Sequence, residues 1–461
     1  MDFLARAERR GIKVHIFLPG LHPLYPNFTQ ADNLIQAAHL PESAAFFVYD
    51  VGWEVHVGDY SARKEFDHLW RDWVVDRYGS VPAAERDWNY QPERVGGGIT
   101  GPRDDQLAND GDWRVYVAEY RRFWDDEISK RYRLVKETIR TLDKHHLICA
   151  RSAYGGTGSM WIVPRFPFDL ASGAKHLDFT SPEGYGLRGD RLGFLKGGLN
   201  TLYGRFVSGG KPVYWAEYGI SIWPHCDAQM LEQAREYYQH LLAMTYDSHA
   251  NGSAGWWWPG GLRVDEVSDY GIIEPDGTPR PAALQIQKFA DTFMTPRKTP
   301  EPDYFLTIDR DRYVTGYAGI FNSRSEEYAA AVDSGKVPGL KTEGTGTTSA
   351  NTPLVAVGSV PYNGHNPPKY LNAEFNYVRI NGREVEDDAV VDVQRGAPVH
   401  VEVSVGNIAE ATWLAPEGTD MGPDPPKDAF PLGRSLAEIQ ARGWCTGRGH
   451  IRAQYAGDWQ G

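Results

Sequence analysis

The chain has 461 residues, 24% charged and 41% hydrophobic, with 15 Trp, 25 Tyr and a net charge of −13. That length holds two or three domains and a large core. The acidic balance, without a basic stripe or zinc-finger spacing, argues against a nucleic-acid partner. No apolar run approaches the roughly 18 residues of a membrane span, and three cysteines without a CxxC offer neither a disulfide framework nor a metal site.

From residue 1 to 294 helical and strand patterns alternate, which predicts an α/β architecture with a parallel sheet. A charged amphipathic helix over Met1–Arg10, unlike a signal peptide, ends at Gly11. Strands follow at Lys13–Leu18 and Ala45–Asp50. Two amphipathic helices, about 61–78 and 113–143, flank a Gly-rich loop at Gly96–Gly101. Further strands fall at His146–Ala150, His176–Thr180, Val213–Glu217 and Gly252–Trp258. Thr295–Asp303, with prolines at 296, 300 and 302, reads as a linker. Beyond it, Glu374–Ile380 and Val399–Val405 alternate like strands, so 304–461 is expected to be a β-sandwich-like accessory domain after a barrel domain of 1–294.

Two of the strands end in a glutamate beside aromatics: Val51-Gly52-Trp53-Glu54 and Val213-Tyr214-Trp215-Ala216-Glu217-Tyr218-Gly219. A carboxylate at the mouth of a buried strand is costly without partners, which marks it as a site candidate. Taken singly, each reads equally as a solvated strand end or half an ion pair. As a converging pair they match a retaining glycosidase, with one carboxyl to protonate the leaving oxygen and one to attack the sugar. The abundant Trp and Tyr suit sugar stacking, or simply a Trp-rich core. The chemistry gathers at the C-terminal ends of the strands, the polarity of a TIM barrel, and no phosphate-loop motif follows any strand.

With these residues in place, residues 11–290 resemble the clan A glycoside hydrolases, (β/α)8 enzymes related to family 5 cellulases. The resemblance implies that Glu54, ending strand 4, is the acid/base and Glu217, ending strand 7, is the nucleophile. It implies that Tyr185 of Glu183-Gly184-Tyr185 hydrogen-bonds the nucleophile, with Glu183 standing where the clan commonly has His. It makes Trp258, with Trp256 on the same strand face, the floor of the sugar site, and Asp269–Pro281 the exit from strand 8. Trp53 stands where the clan carries an Asn for the sugar 2-hydroxyl. The alignment also makes Lys13–Leu18 strand 3, so the barrel is expected to be truncated at its N-terminus, with about six strands present. A longer secreted or periplasmic enzyme is the expected parent.

Other candidates have two readings each. Glu183 is a sugar-hydroxyl acceptor or a surface charge. His22 and Tyr154 are loop-borne substrate contacts or structural residues. Trp256 and Trp257 read as core, Arg263 and Asp269 as an ion pair, and His145-His146 as surface. A carbohydrate substrate is expected, with no cofactor, metal, nucleic acid or membrane partner. The competing class is a catalytically inactive carbohydrate-binding barrel or scaffold. A Glu-dependent esterase or lyase lacks a Gly-x-Ser-x-Gly elbow or a Lys/Tyr base pair.

Overall fold

The computed structural model describes residues 2–155, 168–295, 297–310 and 312–342, then 373–385, 391–392, 399–407, 413–414 and 430–431. Seven short strands carry the site: β1 (Val14–Phe17), β2 (Phe46–Asp50), β3 (Leu147–Cys149), β4 (Arg151–Gly155), β5 (Ser181–Glu183), β6 (Tyr214–Trp215) and β7 (Gly252–Ser253). All pair in parallel and in chain order, as β1–β2–β3, β4–β5 and β6–β7. Parallel bridges Val55↔Ser152, Thr180↔Val213 and Glu183↔Glu217 stitch these blocks together. Since only Ala150 separates β3 from β4, the sheet has six strand courses, the number read from the sequence. Among the described residues no strand pairing joins β7 back to β1.

Strands buried on both faces are continuous apolar runs, and β2 (Phe-Phe-Val-Tyr-Asp) is one, with Val48 and Tyr49 fully buried. Val48, Cys149 and Phe179 form a small buried cluster with Phe47, Leu147 and Tyr214 packed against it. The His15 and Tyr214 rings lie 6.2 Å apart, linking β1 to β6.

The connection from β2 to β3 is long and holds α1 (Asp67–Tyr78), α2 (Val81–Trp88) and α3 (Arg114–Leu142). Gly79 ends α1 with φ 78°, a left-handed cap that glycine adopts without steric cost. Ser80 then caps α2 by accepting from the Ala83 N–H, with Pro82 in the first turn. The Gly-rich segment expected as a loop forms a hairpin instead. Arg94–Val95 pairs with Gly98–Ile99 through Gly96 and Gly97, whose φ values of 59° and 84° are what a two-residue turn requires. Helix α3 lays Tyr116, Tyr120, Phe123 and Trp124 against Trp70 and Trp88, and the two tryptophans stack at 5.7 Å. The core reading therefore holds for much of the tryptophan.

Helix α4 (Gly198–Val207) covers β5 and β6, followed by α5 (Ala228–Asp247), capped by Asp227, and α6 (Pro281–Met294). Residues 304–342, expected to open a β-rich domain, form β8 (Tyr304–Ile308), α7 (Tyr317–Asp333) and β9 (Pro338–Thr342), with β8 and β9 parallel. A parallel pair requires a crossover, and Tyr317, Ile320, Phe321 and Tyr328 supply the helical spacing that buries α7 against α4. Arg310, nearly buried, pins this unit by pairing with Asp125 at 2.5 Å and Asp169 at 3.1 Å. The expected alternating strands occur farther on: Ala373–Ile380 pairs antiparallel with Arg383–Val385 and Val401–Asn407. Among the described residues no helix is long and apolar enough to cross a membrane.

Candidate active site

The ends of β5 and β6 are held in register by Ala216 N–H donating to the Pro182 carbonyl (3.1 Å) and Gly184 N–H to the Glu217 carbonyl (2.7 Å). That register makes Glu183 and Glu217 bridge partners. Within Trp-Ala-Glu-Tyr-Gly the aromatics point away from the chemistry. Trp215 is fully buried and donates to Thr201 Oγ1 at 2.9 Å, and the Tyr218 hydroxyl meets Ser253 Oγ at 3.0 Å. Gly219 is required by a close approach: a Cβ there would collide with the Trp256 carbonyl oxygen. The Trp256 N–H in turn donates to the Tyr218 carbonyl at 2.7 Å, which brings the end of β7 against the end of β6.

Glu217 is held by two donors. The Tyr185 hydroxyl reaches its Oε1 at 2.8 Å, and Arg151 Nη1 reaches its Oε2 at 2.8 Å. Burial raises the Glu217 pKa; Tyr185 and Arg151 oppose this by favouring the anion, and Glu54 adds to the rise. Burial and the facing Glu217 carboxylate push the Tyr185 pKa far up, so its hydroxyl stays a donor. Arg151 Nε meanwhile binds Asp50 Oδ2 at 2.6 Å. Asp50, fully buried at the end of β2, also accepts from the Gly52 N–H (3.1 Å) and lies 3.3 Å from His15 Nε2. Burial opposes the charge on Arg151, but Asp50 and Glu217 outweigh it and raise its pKa.

Glu54 follows β2 with a left-handed φ of 45°, a conformation that costs a non-glycine residue about 1–2 kcal/mol and recurs at functional sites. It lines a cleft with Trp53, Tyr185, Glu217, Trp256 and Tyr270. The cleft has a volume of about 1010 Å³. Trp53 is 45% exposed, and the Arg151 guanidinium sits 5.0 Å from its ring centroid. Tyr270 meets Tyr185 edge-on at 6.2 Å.

Several expected residues are placed differently. Trp258 is 68% exposed and is not on the cleft wall, whereas Trp256 is. A strand's side chains alternate only while it runs straight, and the backbone turns after Ser253. Trp256 packs 4.7 Å from Trp257, and Arg263 covers both rings at 5.0 Å, so neither is simple core. Arg263 and Asp269 do not pair with each other. Arg263 binds Asp265 and Glu266, while Asp269 holds Arg280 in a two-pronged pair at 2.8 and 2.9 Å. His22 lies away from the cleft wall, stacked at 5.9 Å on Tyr25 with its Nδ1 accepting from the Leu24 N–H. Tyr154 falls on β4, and its side chain lies outside the described residues. Glu183 is 0% exposed, which rules out the surface-charge reading.

Arg151, Asp50 and Tyr270 were missed in the sequence. Arg151 directly follows the apolar run Leu147–Ala150, so the strand-end rule that selected Glu217 would have selected it too. His15, Asp50 and Cys149 also come together, with ligand-type atoms all within 4.8 Å. Burial and Asp50 push the Cys149 pKa well up, and Asp50 is bound by the Arg151 guanidinium. These residues form a hydrogen-bonded brace behind Glu217.

No protein-family model matches the chain, and no curated protein matches it. Solved structures do. A β-galactosidase of the Antarctic haloarchaeon Halorubrum lacusprofundi superposes with TM-score 0.50 at 15% identity, covering 68% of this chain and 50% of that one. A β-galactosidase of Rahnella sp. R3 superposes with TM-score 0.54 at 14% identity, covering 74% and 56%. The fold is a glycoside hydrolase fold. The chain spans about half the length of these structures. A GH5_18 protein of Streptomyces cattleya gives TM-score 0.42 at 16% identity, too weak a likeness to argue from.

Proposed function

We propose that the chain is a retaining O-glycoside hydrolase acting on β-glycosidic bonds of an oligo- or polysaccharide. The observation that carries this reading is Glu217, clamped between Tyr185 and Arg151 on the wall of a cleft that also presents Glu54. Both donors bind the carboxylate form, which suits a nucleophile. In the first step Glu217 Oε forms a bond to the anomeric carbon as the bond to the leaving oxygen breaks, and the Glu54 carboxyl gives that oxygen its proton. In the second, Glu54 takes a proton from water, the water oxygen attacks the anomeric carbon, and Glu217 leaves as a carboxylate. Tyr185 and Arg151 receive the returning negative charge without reorganising.

The volume of about 1010 Å³ lies at the upper end for ligand sites, which suits an oligosaccharide. Trp256 and Tyr270 offer aromatic faces to sugar rings. The structural neighbours are β-galactosidases, which supports β-glycosides as the first substrates to try. One observation favours the non-catalytic barrel: Trp53, exposed beside Glu54, stands where the resembled clan has Asn. Hydrolysis of aryl β-glycosides, with the product anomer followed by NMR, separates the readings. The proposal expects net retention and its loss in Glu217→Gln. Sugar binding without turnover would instead favour the non-catalytic barrel.

A further inference from the structure

Three glutamates meet at this site, and one of them does not reach the cleft. Glu183 is 0% exposed, beneath a wall that presents Glu54 and Glu217. Its bridge register with Glu217 sets the two side chains next to one another, and its carboxyl also contacts Glu54. Among the described residues, the titratable groups that act on it come from four elements: Glu54 after β2, Arg151 on β4, Tyr185 after β5 and Glu217 after β6. The one cation among these is already committed, Nε to Asp50 and Nη1 to Glu217. Among the described residues no ion pair involves Glu183. A carboxylate without its own cation is far harder to bury than a neutral acid, and like charges beside it make ionisation harder still.

We infer that Glu183 is a neutral carboxylic acid that positions the two cleft glutamates, and that its ionisation sets the alkaline limit of the site. The catalytic half of this inference rests on the glycosidase reading; the charge state does not. Burial first, then Glu217 and Glu54, hold the Glu183 pKa well above the usual carboxylate range, with Arg151 opposing. A neutral acid can donate to a carboxylate neighbour, whereas an ionised one would place a third negative charge beside Glu54 and Glu217. The sign follows for stability as well. A raised folded-state pKa contributes stability below the ordinary Glu value of about 4.3, and that contribution is lost as pH rises toward the folded value.

The test uses the full chain with its Glu side-chain carboxyls labelled with ¹³C. At pH 7 the wild type should show a protonated-carboxyl resonance that is missing in Glu183→Gln and in Glu183→Met, the second variant guarding against misfolding of the first. Identical sets of protonated resonances in wild type and variants would overturn the charge assignment. For catalysis, Glu183→Gln should keep its turnover within about tenfold at neutral pH and stay active to higher pH than the wild type. Superimposable alkaline limbs would overturn the positioning role. A chain that shows the resonance but hydrolyses no glycoside would overturn the glycosidase reading and the alkaline-limit claim, leaving Glu183 assigned as neutral.

Discussion

Arg151 Nη1 donates to Glu217 Oε2 at 2.8 Å while the same guanidinium holds Asp50 through Nε at 2.6 Å. One cation thus joins β2, β4 and the end of β6, and its planar fork fixes the direction from which Glu217 faces the cleft. An ammonium cannot span both carboxylates with directed donors. Arg151→Lys should therefore lower kcat by about 10²-fold, a loss comparable to removing one donor to a reacting oxygen, with a smaller change in KM. Equal kcat in the variant would mean that the clamp is only structural.

The aromatic wall gives a contrast between two tryptophans on one strand end. Trp256 lines the cleft and Trp258 points to solvent. Trp256→Ala should raise KM or weaken sugar binding by about tenfold, the order of a lost aromatic contact. Trp258→Ala should change neither. The reverse result would restore Trp258 as the sugar floor.

A third prediction concerns packing under the nucleophile. Gly219→Ala places a methyl group against the Trp256 carbonyl, a backbone atom that cannot swing aside. We expect a loss of about 1–3 kcal/mol, read as a lower Tm, together with reduced turnover because the Glu217 strand end must shift. An unchanged Tm would show that the β6 and β7 ends are farther apart than described.

Far from the cleft, Asp143 gives a pH-dependent stability term. It accepts from the Tyr49 hydroxyl (2.7 Å), the His145 and His146 N–H groups (2.9 and 3.1 Å) and the His146 ring (2.7 Å). Burial opposes ionisation, but these donors win and push its pKa down to about 2. A depressed carboxyl contributes stability above its unfolded value of about 3.9, and the contribution is lost as pH falls through the folded value. Asp143→Asn should lower Tm at pH 7, with the gap closing as the pH approaches 2. A gap independent of pH would refute the charge-based account.

Much of this site was legible in the sequence. Glu54 and Glu217 end apolar runs in polar segments, so composition at strand ends exposed them; Tyr185 came from the resemblance to the clan A pattern, and all three line the cleft. What could not be read was side-chain direction after the strand stops. Trp256 and Trp258 sit two positions apart in one Trp-Trp-Trp run, and a turn of the backbone decides which one faces the cleft. Partner choice was equally hidden. Arg263 and Asp269 are close in sequence, yet each found a better partner: Arg263 two acidic residues two and three positions on, Asp269 a guanidinium in fork geometry. The βαβ unit of 304–342 was missed because its helix buries small and aromatic residues, giving a weak amphipathic stripe.

The rim of the cleft adds one expectation about substrate charge. Glu236 and Glu266 join Glu54 and Glu217 there, against Arg188 as the one arginine or lysine among the described lining residues. Polyanionic glycans should therefore be poorer substrates than neutral ones, with the difference shrinking as salt is raised. A preference for sulfated or uronate glycans at low salt would contradict this.

The central claim is that Glu217 becomes covalently bonded to the sugar. Incubation with an activated 2-deoxy-2-fluoro glycoside, followed by intact mass and peptide mapping, tests it directly. The account predicts one glycosyl adduct per chain, located on Glu217 and absent in Glu217→Gln. Turnover with inversion and no adduct, or an adduct on another residue, would contradict it.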